Sequence, residues 1–336
     1  MLKDLDLVIP DYNSNPHRCK LSNLLLQNLS CARGASELLS YVDTSQLSKL
    51  ELYLCQHVDE FLKTLSHCLL PNSTHLTRCN ITLPWDVANP EQTVRTIERF
   101  LKSRVGMTHL HIDVSQHRMI SKECLIHHAD TLLTFAISTG QLKQSGYYSS
   151  QDLGHILTQC VKVRGVAINL PPAPLVSIWG TDAKFRLGRG QDDAYHIQSE
   201  LEATLLVLAQ HKSMHTLRMF NYPNITYWVP LTPNTIHEHP MSDDEAKLCQ
   251  PVMQNFSNQV MQFMAKAGSS LRVFSVDPAM TESDCDLPSA DSNGHRWPCY
   301  GYRRSRAFDA WGREYVVAAP LAKYKAEEPD SVRLHY

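Results

Sequence analysis

The stretch Leu47-Ser-Lys-Leu50-Glu-Leu52-Tyr-Leu-Cys55 decides the fold of this chain. Its apolar residues stand at positions i, i+3 and i+5, and Leu50 and Leu52 alternate with Lys, Glu and Tyr. Such alternation predicts a strand with one buried face and one polar face. Seven other stretches have the same apolar spacing, and we expect each to be a copy of one repeating unit. These copies begin at Leu2, Leu76, Met107, Leu132, Val163, Met214 and Leu271.

Most copies are preceded by the pattern of an amphipathic helix. In the clearest case, Asn89-Pro90-Glu91 provides an N-cap, a first-turn proline and an acidic residue that suits a helix start. Apolar residues follow at helical spacing as far as Val105. Parallel neighbouring strands need a crossover connection, which a helix supplies, so this order predicts one parallel sheet with helices on its other side. Similar helical patterns lie at 58–69, 153–160, 197–208 and 252–263.

The copies indicate an irregular repeat array over residues 1–278. They follow one another at about 30 residues in the middle of the chain, a period typical of helix-and-strand repeats. The last two intervals are longer, and the segments 172–195 and 224–248, rich in Pro, Gly, Asp and polar residues, are the predicted insertions. The parallel strands are expected near 50–54, 78–83, 109–114, 133–138, 164–170, 216–220 and 272–277.

Residues 279–336 are expected to close the array. An acidic, turn-rich loop leads into two strand patterns at 300–308 and 313–319, which flank Asp309-Ala-Trp-Gly312, and a short tail follows. This order predicts a β-hairpin that caps the last repeat. The predicted fold is therefore α/β, a solenoid with a parallel sheet on the concave side, helices on the convex side and a C-terminal β-hairpin cap.

The composition argues against several classes of partner. Hydrophobic residues make up 43% of the chain and charged residues 20%, as in ordinary folded proteins. The 32 Lys and Arg nearly balance the 34 Asp and Glu, so we expect neither nucleic acid nor a membrane as partner. The N-terminus lacks a signal-peptide pattern, and the ten cysteines include no Cys-x-x-Cys pair. We therefore expect an intracellular protein, cytoplasmic or nuclear, whose thiols mostly fill small apolar gaps.

His109, His111 and Asp113 form the most suggestive polar cluster. In a strand they share one face, so two imidazoles and a carboxylate could be presented to a metal ion. A polar solvent face opposite a core face explains the same spacing, and we favour that interpretation. The motifs Gly-x-Ser-x-Gly and Gly-x-x-x-x-Gly-Lys-Ser/Thr are absent from the sequence. We expect a protein that is not an enzyme and holds no cofactor or metal.

Between residues 40 and 322 the chain resembles the repeat region of fungal F-box and leucine-rich-repeat-like proteins. The residues that carry the resemblance are His128–Leu132, Asp152–Cys160, Val166–Pro171, Thr216–Pro223 and Tyr302–Gly312. Members of that family carry an N-terminal F-box, a helical module that docks onto a ubiquitin-ligase scaffold, and use the repeats to hold a target. The resemblance covers the repeats only, because residues 2–9 look like a repeat strand and no F-box is recognisable.

The expected function is a non-catalytic protein-protein interaction scaffold. In a curved array, side chains that alternate with the core positions line the concave face and form one surface. In a second interpretation, the 172–195 loop binds the partner and the sheet face is only solvated. The resemblance implies another alternative, the substrate-recognition part of a ubiquitin-ligase adaptor that also contacts the ligase scaffold, and an enzyme of unrecognised type is a further one. The predicted binding residues are Lys49, Glu51, Tyr53, Asn80, His109, His111, Asp113, Asn169, Arg218 and Phe220.

Overall fold

A computed structural model of the chain divides it into two compact units. Unit 1 consists of residues 1–146 and 155–163, and unit 2 consists of residues 147–154 and 164–336. Both are α/β, and most of their paired strands run parallel. The structure describes residues 3–4, 19–31, 35–69, 75–84, 86–114, 118–139, 146–171, 199–220, 243–276 and 301–321.

Unit 1 alternates strands with helices. Its five longer strands pair in parallel in the order β3, β6, β7, β8 and β9, with short parallel ladders between β1 and β4 and between β2 and β5. A further helix, α5 (Ser150–Gln159), contains residues of both units. The elements of unit 1 are β1 (Lys3–Asp4), β2 (Cys19–Lys20), β3 (Asn23–Gln27), β4 (Leu29–Ser30), α1 (Ala35–Tyr41), β5 (Val42–Asp43), a 3-10 turn (Thr44–Gln46), β6 (Lys49–Tyr53), α2 (Val58–Cys68), β7 (Arg78–Thr82), α3 (Pro90–Lys102), β8 (His109–Asp113), α4 (Lys122–Ile126) and β9 (Thr134–Ser138).

The sheet contributes to the core of unit 1 two columns of apolar side chains that run across the five strands without an offset in register. Every one of these side chains is buried, and burial of each Leu, Ile or Phe among them contributes about 1.5–3 kcal/mol. On β3, β6, β7 and β8 the alternate side chains are more exposed, so the buried columns face the helices, whereas Ala136 and Ser138 of β9 are buried as well. The first column is Leu24, Leu50, Cys79, Leu110 and Phe135, and the second is Leu26, Leu52, Ile81, Ile112 and Ile137.

Helix α3 begins as its sequence predicts. The Asn89 side chain accepts a hydrogen bond from the Gln92 amide at 3.3 Å, and Pro90 is the first helical residue. The predicted extension to Val105 is wrong, because the helix ends at Lys102 and Val105 is exposed. Gly106, with φ near +84°, then redirects the chain toward β8, a backbone conformation that favours glycine.

The sequence analysis missed β3, which carries the first repeat in the sheet. Leu21, Leu24 and Leu26 have the repeat spacing, and β3 pairs with β6 along its whole length. The predicted strand at 2–9 lies outside the described residues except for β1, and β1 pairs with β4. Leu21 therefore begins a copy of the repeat that the sequence analysis did not identify. The other seven predicted strands are present within one or two residues, and their predicted parallel pairing is confirmed within each unit.

Unit 2 contains three parallel strands followed by an antiparallel hairpin. Strands β10, β11 and β12 pair in parallel, and β12, β13 and β14 pair antiparallel, which confirms the predicted hairpin. The buried side chains of Val166, Leu217, Phe274 and Tyr302 form one core column across four strands. The elements of unit 2 are β10 (Gly165–Ile168), α6 (Glu200–Gln210), β11 (Thr216–Met219), α7 (Asp243–Lys266), β12 (Val273–Val276), β13 (Gly301–Phe308) and β14 (Glu314–Pro320).

One predicted insertion overlaps helix α7. The segment 224–248 was expected to be irregular, but α7 begins at Asp243 and continues through Pro251. This part of the sequence resembles a polar loop because it contains Asp243, Asp244 and Glu245. Acidic residues are, however, favourable in the first turn of a helix. The rest of that insertion, the insertion at 172–195 and the predicted boundary near 278 lie outside the described residues.

Three side-chain amides of α7 cover the outer edge of β14. Gln254 Nε2 donates to the Ala318 carbonyl at 2.6 Å, and Asn258 Oδ1 accepts from the Ala318 amide at 2.8 Å. One helical turn further, Gln262 Nε2 donates to the Val316 carbonyl at 3.0 Å. Residues four apart lie on one side of a helix, so the amides follow the strand and bond backbone groups that an edge strand usually leaves open.

Candidate functional site

The candidate site is the sheet face of unit 1 that lies opposite the apolar columns, and we call it the polar face. Seven of the ten predicted binding residues stand on it, all of them half-buried: Lys49, Glu51, Tyr53, Asn80, His109, His111 and Asp113. The face has three rows across β3, β6, β7, β8 and β9. They are Asn23, Lys49, Arg78, His109 and Thr134; Leu25, Glu51, Asn80, His111 and Ala136; and Gln27, Tyr53, Thr82, Asp113 and Ser138.

Charge is unevenly distributed over the polar face. Lys49 and Arg78 pair in register at the amino ends of their strands, with His109 next in the same row. Lys49 Nζ lies 2.8 Å from Glu51 Oε2, and the Thr108 hydroxyl lies 2.7 Å from His109 Nδ1 and orients that ring. The face therefore offers cationic groups along one margin and hydrogen-bonding groups elsewhere.

The sequence analysis omitted several residues of the polar face. Arg78 and Thr82 flank the predicted Asn80 at the two-residue spacing of the strand, and this alternation was the signal that could have found them. The sequence analysis did not identify β3, so it also omitted the β3 residues on this face, which are Asn23, Leu25 and Gln27. Leu25 is 58% exposed, which makes it the most open apolar side chain on this face.

The remaining three predicted residues are not on an accessible surface. Asn169, Arg218 and Phe220 belong to unit 2 and are buried, and the Arg218 guanidinium lies 4.9 Å above the centre of the Phe220 ring. All residues of β10 and β11 are buried, the pattern of parallel strands covered on both faces. The prediction that these three side chains line an accessible face is therefore corrected, and the polar face is confined to unit 1.

The strand register also places the neighbours of the histidine cluster. His111 lies between Asn80 and Ala136, and Asp113 lies between Thr82 and Ser138. None of these four neighbours carries an imidazole, thiolate or carboxylate, which are the side chains that usually bind transition metals. In the part of the chain that the structure describes, no group of three or more His, Cys, Asp or Glu residues is placed to hold a metal ion.

A buried histidine follows the C-terminal end of α4. The side chain of His128 is 2% exposed, and the ring of His127 meets it edge-on with 5.1 Å between ring centres. Burial, and to a smaller extent the neighbouring His127, lowers the pKa of His128 to about 4. His128 is therefore uncharged at neutral pH and acts as a core side chain.

Arg104 is a buried cation whose partners are backbone carbonyls. Its Nη1 donates to the Leu69 carbonyl at 3.2 Å and its Nη2 donates to the Ser66 carbonyl at 3.3 Å. These carbonyls end helix α2, where the helix dipole favours a positive charge. The guanidinium also lies 5.5 Å from the centre of the Phe100 ring. Its role is to cap α2, and the sequence offered no signal for it because the contact joins residues 35 or more positions apart.

Comparison with known proteins assigns no family to the chain. Among the described residues, no helix combines the length and the apolar character needed to cross a membrane. The sequence matches no protein-family model, and no curated protein matches it.

Proposed function

We propose that this chain is a non-catalytic protein-protein interaction scaffold, a leucine-rich-repeat-like solenoid that binds a protein partner across the polar face. The observation that supports the proposal is the register of the five parallel strands, which sets three rows of mostly polar side chains opposite two buried columns. Such a surface is assembled from neighbouring repeats, as in proteins that use a sheet face for recognition.

The dimensions of the polar face limit what it holds. Neighbouring strands are ~4.8 Å apart and alternate residues along a strand are ~6.6 Å apart. Because Ala136 and Ser138 of β9 are buried, the accessible grid spans β3, β6, β7 and β8 and measures ~14 Å by ~13 Å. An α-helix with its side chains is about 10–12 Å wide. The grid therefore accommodates one helix or a short extended segment of a partner.

The binding energy is expected to come from a few side chains. Tyr and Arg are frequent anchors of protein interfaces, and Tyr53 and Arg78 stand in opposite outer rows of the polar face. The ion pair between Lys49 and Glu51 is partly exposed to solvent, so it contributes at most about 1 kcal/mol to stability. Tyr53, Arg78 and the central His111 are therefore the residues to test.

The test measures the affinity of a purified partner for single-alanine variants. Tyr53→Ala, Arg78→Ala and His111→Ala should each weaken binding by roughly 5- to 30-fold, equivalent to about 1–2 kcal/mol. Arg95→Ala is the matched control, because Arg95 is an exposed arginine on α3 away from the polar face, and its affinity should stay within about twofold of wild type. If all three polar-face variants bind as wild type does while deletion of 172–195 abolishes binding, the loop is the site and the proposal fails.

The partner is found by affinity purification from the source organism followed by mass spectrometry. Ubiquitin-ligase scaffold subunits among the proteins that co-purify would favour the adaptor alternative, in which the polar face holds the substrate. In that case the scaffold should still co-purify with the Tyr53→Ala variant, while the substrate should be lost.

A further inference from the structure

The sheet of unit 2 carries a row of basic residues along one margin, where its three parallel strands begin. Arg164, His215 and Arg272 directly precede β10, β11 and β12, respectively. The His215 amide donates to the Arg164 carbonyl at 2.8 Å, and the Arg272 amide donates to the His215 carbonyl at 2.8 Å. On the adjacent strand β13, the Arg304 amide donates to the Arg272 carbonyl at 2.7 Å. Four basic residues therefore lie on neighbouring strands, and we call them the basic row.

The chain segments around the basic row carry positive charge only. Arg164, Arg272 and the nearby Lys212 are exposed, while His215 and Arg304 are half-buried. The turns that lead into the three parallel strands contain no Asp or Glu, and neither does β13. These turns are residues 160–164, 211–215 and 267–272. The segments that form this margin therefore contribute basic side chains and no carboxylates.

Hydrogen bonds hold the turns around the basic row in place. Ser270 Oγ donates to the Lys212 carbonyl at 2.7 Å and to the Met214 carbonyl at 2.8 Å, which ties the turn before β12 to the turn before β11. Arg304 Nη1 donates to the Ser269 carbonyl at 2.7 Å. Helices α6 and α7 end just before these turns, and the C-terminal end of a helix favours positive charge nearby. The basic row is therefore ordered before a ligand arrives, which lowers the entropic cost of binding.

We propose that the basic row binds an acidic segment of a partner protein. A guanidinium group donates two parallel hydrogen bonds to a carboxylate, so Arg164 and Arg272 suit Asp or Glu side chains. Neighbouring strands are ~4.8 Å apart, so the row is ~14 Å long, and an extended segment of about four or five residues covers that length. His215 lies between the two arginines, and its imidazole is able to donate a hydrogen bond to the same segment. The segment that fits carries several Asp or Glu residues close together in sequence.

A nucleic acid is the other polyanion to consider, and the structure favours a protein segment over it. Single-stranded nucleic acids are usually held by bases that stack on exposed aromatic side chains. Phe274 and Tyr302, which lie two residues from the basic row on β12 and β13, are buried. The whole chain has a formal net charge of -2, so it lacks the overall positive charge that attracts a phosphate backbone.

The test measures binding of a fluorescein-labelled peptide of about ten glutamates to the full chain by fluorescence anisotropy. The peptide should bind, and its affinity should fall as NaCl rises from about 0.05 M to about 0.5 M, because salt screens exposed charges. A glutamine peptide of the same length should not bind. The double variant Arg164→Glu/Arg272→Glu should bind the glutamate peptide about tenfold more weakly or worse, because it replaces attraction by like-charge repulsion.

A second double variant controls for the change in net charge. Arg95 and Arg99 are exposed arginines on α3, so Arg95→Glu/Arg99→Glu changes the charge by the same amount and should stay within about twofold of wild type. The variant Arg78→Ala of the polar face should also bind the glutamate peptide as wild type does. Failure of the polar-face proposal and failure of this one are therefore distinguishable.

A chemical measurement on the wild-type chain tests the same site without substitution. Phenylglyoxal modifies accessible arginine side chains, and mass spectrometry of a digest identifies them. The glutamate peptide should protect Arg164 and Arg272 and leave Arg95 and Arg99 reactive. The proposal is overturned if the peptide does not bind, if both double variants bind it equally well, or if Arg164 and Arg272 are not protected. Tighter binding of a single-stranded oligodeoxynucleotide of the same length would overturn it in favour of nucleic acid.

Discussion

Lowering the pH should destabilise unit 1 through His128. In the folded protein the pKa of His128 is about 4, against 6.5 for an unperturbed histidine. The unfolded chain therefore takes up a proton as the pH falls through 6.5, and the folded chain does not do so until about pH 4. The loss of stability develops between these two values and amounts to about 3 kcal/mol, because each pKa unit corresponds to about 1.4 kcal/mol.

The effect of His128 is isolated from other acid-induced changes by comparing variants. The free energy of unfolding is measured by urea denaturation, followed by circular dichroism, at pH 7 and pH 4.5 for wild type and for His128→Leu. Wild type should lose about 2 kcal/mol more than the variant over this interval. His155→Leu, the same substitution at an exposed position of α5, should retain the pH dependence of wild type. Equal losses in wild type and His128→Leu would refute the reasoning.

Three further outcomes follow from the packing. Leu52→Asp or Ile112→Asp should lower stability by several kcal/mol, since each places an unpaired charge in a buried column, and an unchanged melting temperature would contradict the assignment of that column. Arg104→Ala should lower the free energy of unfolding by about 2–4 kcal/mol by leaving two α2 carbonyls unpaired, whereas Arg95→Ala should change it by less than about 0.5 kcal/mol. Asn258→Leu should lower stability by about 1–3 kcal/mol and cause concentration-dependent self-association in light scattering, and a monomeric variant of wild-type stability would argue against edge protection by α7.

The sequence predicts the strands of this fold well where one face is buried and the other is polar. Ile112 is an example, because it stands between the polar residues His111 and Asp113. The alternation of polar and apolar residues that predicts a strand is therefore clear at this position. In β3 the run Leu24-Leu25-Leu26 hides the same period, since the exposed Leu25 looks like a core residue. An apolar side chain on a solvent-facing position is common in proteins, and it removes the signal on which strand prediction depends.

The candidate site is predictable only as far as one strand determines it. The side-chain direction of His109 or Asp113 follows from its own strand, whereas the burial of Arg218 depends on what covers the second face of β11. The bridge between Ser30 and Gln56 depends on the register between strands and on left-handed turns at Asn28 and Leu54. Register and turn geometry arise from tertiary structure, so pattern analysis of a single sequence did not reveal them.

The amides on α7 also restrict how this chain can change length by duplication. A helix-and-strand segment copied after β14 would meet backbone groups of Ala318 and Val316 that already bond to Gln254, Asn258 and Gln262. The added strand would have to displace three bonded side chains before it could pair with the sheet. The bonded edge of β14 therefore disfavours an added strand at this position, so duplication of a segment directly after the hairpin is not expected to extend the sheet.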